Sequence, residues 1–243
     1  MTSRLPQAAL VTGAARRIGR ALARDLALQG FAVAVHHSER ASAEAAAVVA
    51  EIAAAGGRAV ALAADLAKEE ETATLLPRAE AALGPLGLLV NNAARFERDE
   101  ALDATRASWD LHMMANLRAP FVLSQAFARR LPKGAEGVIV NLLDQRVARL
   151  TPHYVSYTIS KTGLMTLTHT LALALAPRIR VNAIGPGPVL AGPRQSETQF
   201  ARQWRATLLG RGTTLGEICA ALRFILAAPS MTGQMIALDG GHR

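Results

Sequence analysis

The stretch AALVTGAARRIGRALARDLALQG, residues 8–30, decides the fold of this chain. It opens with a short apolar run, turns at Gly13, and then repeats apolar residues at helical spacing until Gly30. A strand, a glycine turn and a helix form the first part of a βαβ unit, in which the N–H groups at the helix N-terminus favour an anion. Arg16 and Arg17 occupy the middle of the turn, where small residues are expected, so this turn differs from an ordinary glycine-rich one.

The same alternation of strand and helix continues through the whole chain. Helical patterns at 41–56 and 68–83, with further helical stretches beyond them, separate apolar runs that are typical of strands. After the first run at 8–13, these runs are 31–37, 58–66, 86–93, 137–143, 178–187 and 234–241. Strands joined by helical crossovers lie parallel, and fully apolar strands suit a sheet that is covered on both faces. We therefore predict an α/β fold of one domain, residues 1–243, with a Rossmann-type, doubly wound parallel sheet of about seven strands, helices on both faces, and a ligand site at the carboxyl ends of the strands.

The composition narrows the class of protein. Hydrophobic residues make up 51% of the 243 residues, which argues against disorder. The formal net charge is +8, but the basic residues are scattered and aromatic residues are only 4%, so a nucleic-acid partner is not expected. The single cysteine, Cys219, excludes a disulfide framework and is expected to lie buried in a helix. Neither a signal peptide nor a run of about 18 to 20 apolar residues is present, so we expect a cytoplasmic protein with no membrane partner.

The end of the second predicted strand indicates which nucleotide the site prefers. An acidic residue there would bind the 2′-hydroxyl of NAD, whereas this chain has His36, His37 and Ser38, followed by Arg40. Together with Arg17, these residues favour a 2′-phosphate and therefore NADPH. The alternative is that the two arginines only solvate helix ends. Adjacent histidines in a strand point to opposite faces, so no metal site is expected here.

Tyr157 and Lys161 form a candidate catalytic pair. They lie four residues apart in YTISK, a spacing that places both side chains on one face of a helix. An ammonium group beside a phenol favours the phenolate, so Lys161 is expected to lower the pKa of Tyr157 from its ordinary value of about 10. Such a tyrosine transfers a proton to a developing alkoxide or amine.

Further motifs accompany this pair in a recognisable order. NNAA follows the fourth strand, Asn116 lies in a later helix, and GPG follows the sixth strand, so that the chain resembles the short-chain dehydrogenase/reductase family over essentially its full length. The resemblance implies that Tyr157, Lys161 and Asn116 are catalytic, with Asn116 holding a proton-relay water, and that the protein is a homotetramer. The cofactor-binding residues that it implies are Gly13, Arg17, Ile18, Gly19, Asp65, Leu66, Asn92, Ala93, Tyr157, Lys161, Pro186, Gly187 and Val189.

Two positions depart from the general pattern of that family. Asp144 stands where the family has a serine, thirteen residues before Tyr157, and Arg17 replaces the middle glycine of the turn. Both changes are typical of pteridine reductases and of the related dihydromonapterin and dihydrofolate reductases, and Phe96 matches the phenylalanine on which their pterin stacks. The chain is similar to this subgroup, which implies NADPH-dependent reduction of a pterin bound by Arg17, Phe96, Asp144 and Tyr157. Ala94 departs from the subgroup, since the pteridine reductases of parasites carry a serine there.

Several of these residues have a plainer interpretation. Asp144 could cap a helix or pair with Arg146, and Phe96 could be ordinary loop packing. Trp204, in a predicted substrate loop around residues 188–212, could close over substrate or pack at the surface. For the activity, the alternative is a generic short-chain carbonyl reductase that acts on a 3-oxoacyl thioester or a sugar, although such an enzyme would be expected to carry serine at position 144.

Overall fold

The computed structural model describes residues 5–192 and 195–241, in which strands and helices alternate along the chain. The strands are β1 Ala8–Val11, β2 Ala32–His37, β3 Ala59–Ala63, β4 Leu88–Asn91, β5 Gly137–Leu142, β6 Ile179–Pro186 and β7 Met235–Leu238. The helices are α1 Arg17–Leu28, α2 Ser42–Ala54, α3 Glu69–Leu83, α4 Arg106–Met113, α5 Ala119–Arg130, α6 Val155–Leu175, α7 Glu197–Arg205 and α8 Leu215–Ala227.

The seven strands form one parallel sheet in the order β3-β2-β1-β4-β5-β6-β7. This confirms the predicted doubly wound topology. Val11 at the end of β1 is in register with Val35 of β2 on one side and Val90 of β4 on the other. The strand order reverses at β1, so the helices that follow β1 and β4 lie on opposite faces of the sheet and leave between them the crevice in which ligands of such sheets bind.

Apolar layers cover both faces of the sheet. On one face, α1, α2 and α8 contribute fully buried side chains such as Leu22, Ile52 and Leu222. On the other face, α3, α5 and α6 contribute residues such as Leu75 and Phe127. Because both faces are covered, the central strands carry apolar residues at almost every position, which is the pattern that the sequence shows.

The lone cysteine belongs to the first of these layers. Cys219 lies buried in α8, and burial raises the pKa of its thiol to about 11. The expectation of a buried helix residue is confirmed.

The strand ends differ from the sequence prediction in a consistent way. The predicted runs at 58–66 and 86–93 extend beyond β3 and β4, because their last residues leave the sheet to form turns at its carboxyl edge. These turns carry Asp65, Asn92 and Ala93, which the sequence assigns to the ligand site. None of the helices in the described ranges has both the length and the apolar character needed to cross a bilayer.

Candidate active site

The glycine turn between β1 and α1 is closed tightly against the end of β4. Gly13 has a φ of 63°, a conformation in which glycine is unstrained. A Cβ at Gly19 would collide with the carbonyl oxygen of Gly13 and with the side-chain amide of Asn92. That amide donates hydrogen bonds to the carbonyl oxygens of Thr12, at 2.7 Å, and Gly13, at 3.2 Å. The turn therefore requires glycine at both positions and brings the N-terminus of α1 close to β4, where a phosphate group would meet free N–H groups.

Thr12 is a structural residue of this turn that the sequence did not reveal. Its hydroxyl accepts hydrogen bonds from the backbone N–H groups of Asn92, at 2.9 Å, and Ala93, at 3.0 Å. The hydroxyl thereby ties the end of β1 to the segment after β4. A threonine that follows a strand is too common to have signalled this role.

The buried side chain of His36 supports the backbone of the glycine turn. Its Nδ1 accepts a hydrogen bond from the N–H of Gly13 at 2.9 Å, and its Nε2 lies 3.2 Å from the carbonyl oxygen of Ala64. The ring is buried, and desolvation lowers the pKa of His36 to about 4, so the side chain is neutral with its proton on Nε2. Since both ring nitrogens have partners, His36 has none to offer a phosphate, contrary to the expectation for this residue. His37 and Ser38 follow it at the end of β2, with His37 buried and Ser38 exposed.

The neutral His36 should make the protein sensitive to mild acid. The unfolded chain takes up a proton on this residue below pH 6.5, while the folded protein resists until about pH 4, so stability falls as the pH drops through that window. We expect this residue alone to reduce the free energy of unfolding by about 2 kcal/mol between pH 7 and pH 5. Denaturant unfolding at both pH values should show that His36→Asn, which keeps an acceptor near Gly13 but does not titrate, loses less stability than the wild type by that amount. His169→Asn, at an exposed histidine without these contacts, is the control; equal pH dependence in all three proteins would contradict the assignment.

Arg17 connects the glycine turn to the segment that follows β6. Its guanidinium donates to the carbonyl oxygens of Ala191, at 2.8 Å, and Leu190, at 3.0 Å. Arg17 also has a φ of 53°, a left-handed conformation that is strained for an arginine. The structure therefore shows Arg17 as a tether for the start of the predicted substrate loop. The neighbouring Arg16 instead pairs with Glu44 of α2.

Removing this tether should loosen the loop. In Arg17→Gly the backbone strain is relieved and the two hydrogen bonds are lost, so amides of residues 189–192 should exchange with solvent roughly ten times faster. Arg16→Gly removes an arginine that does not contact the loop and should leave this exchange unchanged. Hydrogen exchange read by mass spectrometry measures both; protection that survives in Arg17→Gly would show that other contacts hold the loop.

The remaining residues that the sequence assigns to the cofactor lie along the same edge of the sheet. Asp65 and Leu66 follow β3, where the Asp65 carboxylate accepts from the N–H of Ala67 at 3.0 Å. Pro186 ends β6, and the N–H of Gly187 donates to the carbonyl oxygen of Leu238 in β7 at 2.7 Å. The other members of this set, Ile18 in the first turn of α1 and Val189 beyond β6, are partly and fully buried.

Tyr157 and Asp144 are in direct contact. The phenol of Tyr157, in the first turn of α6, donates to Oδ2 of Asp144 at 2.9 Å. Oδ1 of Asp144 accepts from the N–H of Arg146 at 2.9 Å and lies 3.5 Å from its guanidinium. The plainer interpretations of Asp144, a cap and a partner of Arg146, are therefore both realised, together with the contact to Tyr157, the candidate catalytic tyrosine.

Lys161 does not have the effect on the pKa of Tyr157 that the sequence predicts. Its Nζ is buried and donates to the carbonyl oxygen of Leu142, at the end of β5, at 2.7 Å. Burial, and secondarily the Asp144 carboxylate, raise the pKa of Tyr157 well above its ordinary value of 10. Burial lowers the pKa of Lys161 to about 8, against the opposing influence of Asp144. The prediction that Lys161 lowers the pKa of Tyr157 is wrong for this structure, because the anionic neighbour and desolvation favour the protonated phenol.

Phe96 packs against both tyrosines of this region. Its ring stacks parallel to Tyr154 at 4.5 Å between centroids and meets the Tyr157 ring edge-on at 4.6 Å. The guanidinium carbon of Arg146 is 5.4 Å from the Phe96 centroid and 4.9 Å from that of Tyr154. Phe96 remains 48% exposed, which is high for so large an apolar side chain and leaves area for a planar ligand.

Asn116 lies in a π-helical segment, Met114–Arg118, that joins α4 to α5. Its amide accepts from the N–H of Arg95 at 2.7 Å and donates to the Arg95 carbonyl and to Ser160 Oγ, both at 3.0 Å. Asn116 is fully buried, and it fixes the loop before Phe96 against α6. Single turns of π-helix are frequent at functional sites, which fits this position.

A buried polar chain behind the aromatic residues was not visible in the sequence. His112 Nε2 accepts from the N–H of Glu97 at 3.1 Å, and its Nδ1 lies 2.6 Å from Ser156 Oγ. The Ser156 hydroxyl in turn bonds to the carboxylate of Asp99. These hydrogen bonds hold the loop that carries Phe96 against the start of α6. The His112 ring also packs edge-to-face with the Tyr157 ring, at 5.9 Å between centroids. Lone histidines carry no sequence signal for such a role.

Trp204 of α7 packs beneath the loop that follows β6. Its Nε1 donates to the carbonyl oxygen of Pro188 at 2.9 Å, and its ring lies 5.2 Å from that of Phe200. Between the two interpretations of Trp204, the described contacts therefore favour packing that supports the loop.

Comparison with known proteins agrees with this geometry. The short chain dehydrogenase family profile matches residues 7–202. Two crystal structures of FolM alternative dihydrofolate reductase 1 with NADP, from Brucella canis and Brucella suis, are 44% identical, with TM-scores of 0.95 and 0.94, and cover 99% and 100% of this chain and 96% of theirs. A 3-oxoacyl-[acyl-carrier-protein] reductase from Synechocystis sp. is 32% identical over 99% of this chain and 98% of its own length.

Proposed function

The chain belongs to the short-chain dehydrogenase/reductase family, and within that family of oxidoreductases we propose that it is an NADPH-dependent reductase of pterins, such as dihydropterin, dihydromonapterin or dihydrofolate. The observation that carries the proposal is the contact between Tyr157 and Asp144, which occupies the position of the usual serine of the family. Asp144 places a carboxylate where a serine would place a hydroxyl. A carboxylate accepts hydrogen bonds from N–H groups, so it suits an amino-pyrimidine ring better than a ketone oxygen.

The residues at the carboxyl edge of the sheet fit NADPH. The turn from Gly13 to Gly19 is packed too closely for a Cβ at either glycine and is held by His36, so the N–H groups at the N-terminus of α1 lie at the edge of the sheet, where a pyrophosphate would bind. His37 ends β2, and Ser38 and Arg40 follow it, where a 2′-phosphate would lie; the Brucella relatives are complexed with NADP. When bound, the cofactor supplies a hydride.

The aromatic stack supports a planar substrate. Phe96 is half exposed while Tyr154 covers one of its faces and Tyr157 lies at its edge. A pterin ring between Phe96 and the nicotinamide would align the carbon that accepts hydride with the donor. Asp144, adjacent to this position, would accept a hydrogen bond from the amino-pyrimidine edge.

Tyr157 is the proton donor in the proposed reaction. Its raised pKa keeps the phenol protonated near neutral pH, so it donates a proton and does not act as a phenolate. In the proposed step the carbon of a C=N bond receives the hydride and the adjacent nitrogen receives the Tyr157 proton, which reduces the imine to an amine. Asn116 and Ser160 hold α6 and the Phe96 loop in place, and Lys161 is bonded to the end of β5, from where it would hold the nicotinamide ribose when the cofactor binds.

A carbonyl reductase is the second candidate function. It is favoured by the similarity to 3-oxoacyl-[acyl-carrier-protein] reductase, which extends over nearly the whole of both chains. Asp144 argues against it, because a carboxylate beside a developing alkoxide places two negative charges together.

A substrate panel tests the proposal. Purified protein is given NADPH with dihydropterin, dihydromonapterin or dihydrofolate, and in parallel with a 3-oxoacyl thioester and a sugar substrate. We expect NADPH oxidation with the pterins at rates well above that with the carbonyl substrates. Turnover of the thioester without turnover of any pterin would overturn the proposal in favour of the second candidate.

A further inference from the structure

A cavity of about 580 Å³ lies beside the proposed pterin site. One wall is the segment after β5, from Gln145 to Thr151, and the other is the last part of α7. Arg146 belongs to both regions, since it lines the cavity while its guanidinium approaches Phe96 and Asp144. The cavity therefore begins where the proposed ring site ends.

The lining of this cavity is positively charged. Arg146, Arg149 and Arg202 all line it, and none of its lining residues is acidic. In residues 5–192 and 195–241, no carboxylate pairs with Arg149 or Arg202, whereas arginines elsewhere on the protein, such as Arg118 and Arg130, pair with glutamates. The charge of Arg149 and Arg202 is thus left to solvent or to a ligand.

Two buried polar atoms of residues that line the cavity lack hydrogen-bond partners. Nε of Arg146 and Oε1 of Gln145 are buried without a hydrogen bond in the described structure. A buried polar group without a partner is costly, and native structures seldom retain one unless a water or ligand completes it. Both atoms belong to residues that line the cavity, so a ligand bound there would lie next to these two side chains.

We propose that this cavity binds an anionic side chain of the pterin substrate, with Arg149 and Arg202 as specificity-determining residues. The inference rests on the proposed function and extends it, since it selects pterins that carry negative charge over neutral ones. Guanidinium groups bind carboxylate and phosphate oxygens alike through paired N–H donors. The shared chemistry is therefore an anion attached to the pterin by a short arm, whether a glutamyl carboxylate or a phosphate ester.

The test compares three substrates in steady-state kinetics with saturating NADPH: dihydrofolate, a phosphorylated dihydropterin and uncharged dihydromonapterin. Arg149→Gln and Arg202→Gln should each raise KM for the anionic substrate about two- to fivefold, the size expected for a partly exposed ion pair, and the double variant should raise it about tenfold. KM for dihydromonapterin should stay within twofold in every variant. Arg129→Gln, which removes an exposed arginine at the end of α5, controls for the change in net charge. Arg149→Lys with Arg202→Lys should restore most of the affinity.

Ionic strength gives a second readout. Attraction between exposed charges is screened by salt, so KM for the anionic substrate should rise with salt in the wild type and change less in the double Gln variant. An effect confined to dihydrofolate assigns the cavity to carboxylates, and one confined to the phosphorylated pterin assigns it to phosphate. If dihydromonapterin is affected equally, or if neither anionic substrate is affected, the cavity proposal fails while pterin reduction stands. If the wild type reduces none of the three, it is the proposed function that fails.

Discussion

Replacing Tyr157 with phenylalanine is expected to lower kcat for a dihydropterin by about 10² to 10⁴, the usual contribution of a positioned general acid. The substitution removes the proton that the phenol donates and leaves the aromatic ring in place. Contacts of that ring with Phe96 and His112 do not involve the hydroxyl, so the fold around α6 should persist. The dissociation constant for NADPH should change by less than about threefold, because the lost atom faces Asp144. Stopped-flow reduction and NADPH fluorescence titration measure the two quantities.

Tyr154 provides the matched control for this experiment. It is the other tyrosine of the chain, it lies in the same cluster, and its ring stacks on Phe96. Tyr154→Phe keeps that ring and removes a hydroxyl that does not bond to Asp144, so its kcat should stay within about threefold of wild type. If Tyr157→Phe retained more than a tenth of the activity, solvent and not Tyr157 would supply the proton. An equal loss in both variants would point to packing of the cluster as the cause.

The fold could be predicted because its signals are local. The apolar run before Gly13, the helical spacing after it and the repetition of this unit are properties of neighbouring residues, and a doubly wound sheet is their common solution. The strand ends were placed less well, since 58–66 and 86–93 shorten to β3 and β4. The residues that leave the sheet there include Asp65 and Asn92, whose side chains bond to the backbone of turns, and these contacts override strand propensity.

The members of the candidate site were easier to identify than their contacts. The four-residue spacing places Tyr157 and Lys161 on one helix face, but it does not specify which carbonyl receives Nζ or which carboxylate meets the phenol. In the structure the carbonyl oxygen of Leu142 accepts from Lys161 Nζ, and the carboxylate of Asp144 accepts from the phenol of Tyr157. The pKa of Tyr157 is therefore raised, whereas the sequence predicts that it is lowered. Electrostatics at a site depends on side chains that converge from distant parts of the sequence.

Contacts between distant segments explain the residues that were missed. Tyr154 reaches Phe96 only because the loop after β4 folds over the start of α6, and the polar chain through His112 closes that contact. Strand alternation indicates that His36 and His37 point to opposite faces but not that the first of them supports Gly13. In each case the contact depends on how two distant segments pack against each other, which the local sequence does not specify.

Asp144 gives the second large effect, and its variants separate charge from hydrogen bonding. Asp144→Ala leaves the buried phenol of Tyr157 without its acceptor and removes the carboxylate from the ring site, so kcat/KM for a dihydropterin should fall about 10- to 100-fold. NADPH binding should weaken far less, since none of the residues of the glycine turn contacts Asp144 in the described structure. Asp144→Asn keeps an acceptor for Tyr157 but has no charge, so it should recover part of kcat if hydrogen bonding dominates and little of it if the carboxylate recognises the pterin. Loss of NADPH affinity equal to the loss of turnover would instead show that Asp144 mainly holds the turn that begins at Gln145.

The double variant decides whether Asp144 and Tyr157 act as one unit. If the contact of Asp144 with the pterin serves mainly to orient the ring that the phenol protonates, its removal matters little once the phenol is gone. Asp144→Ala with Tyr157→Phe should then be no more than about threefold slower than Tyr157→Phe alone, far less than the product of the single effects. Multiplication of the two losses would show that the proposed contact of Asp144 with the amino-pyrimidine edge contributes independently of Tyr157. In that case Asp144→Ala should raise KM for the pterin even where Tyr157 is absent, and the KM of the double variant measures this directly.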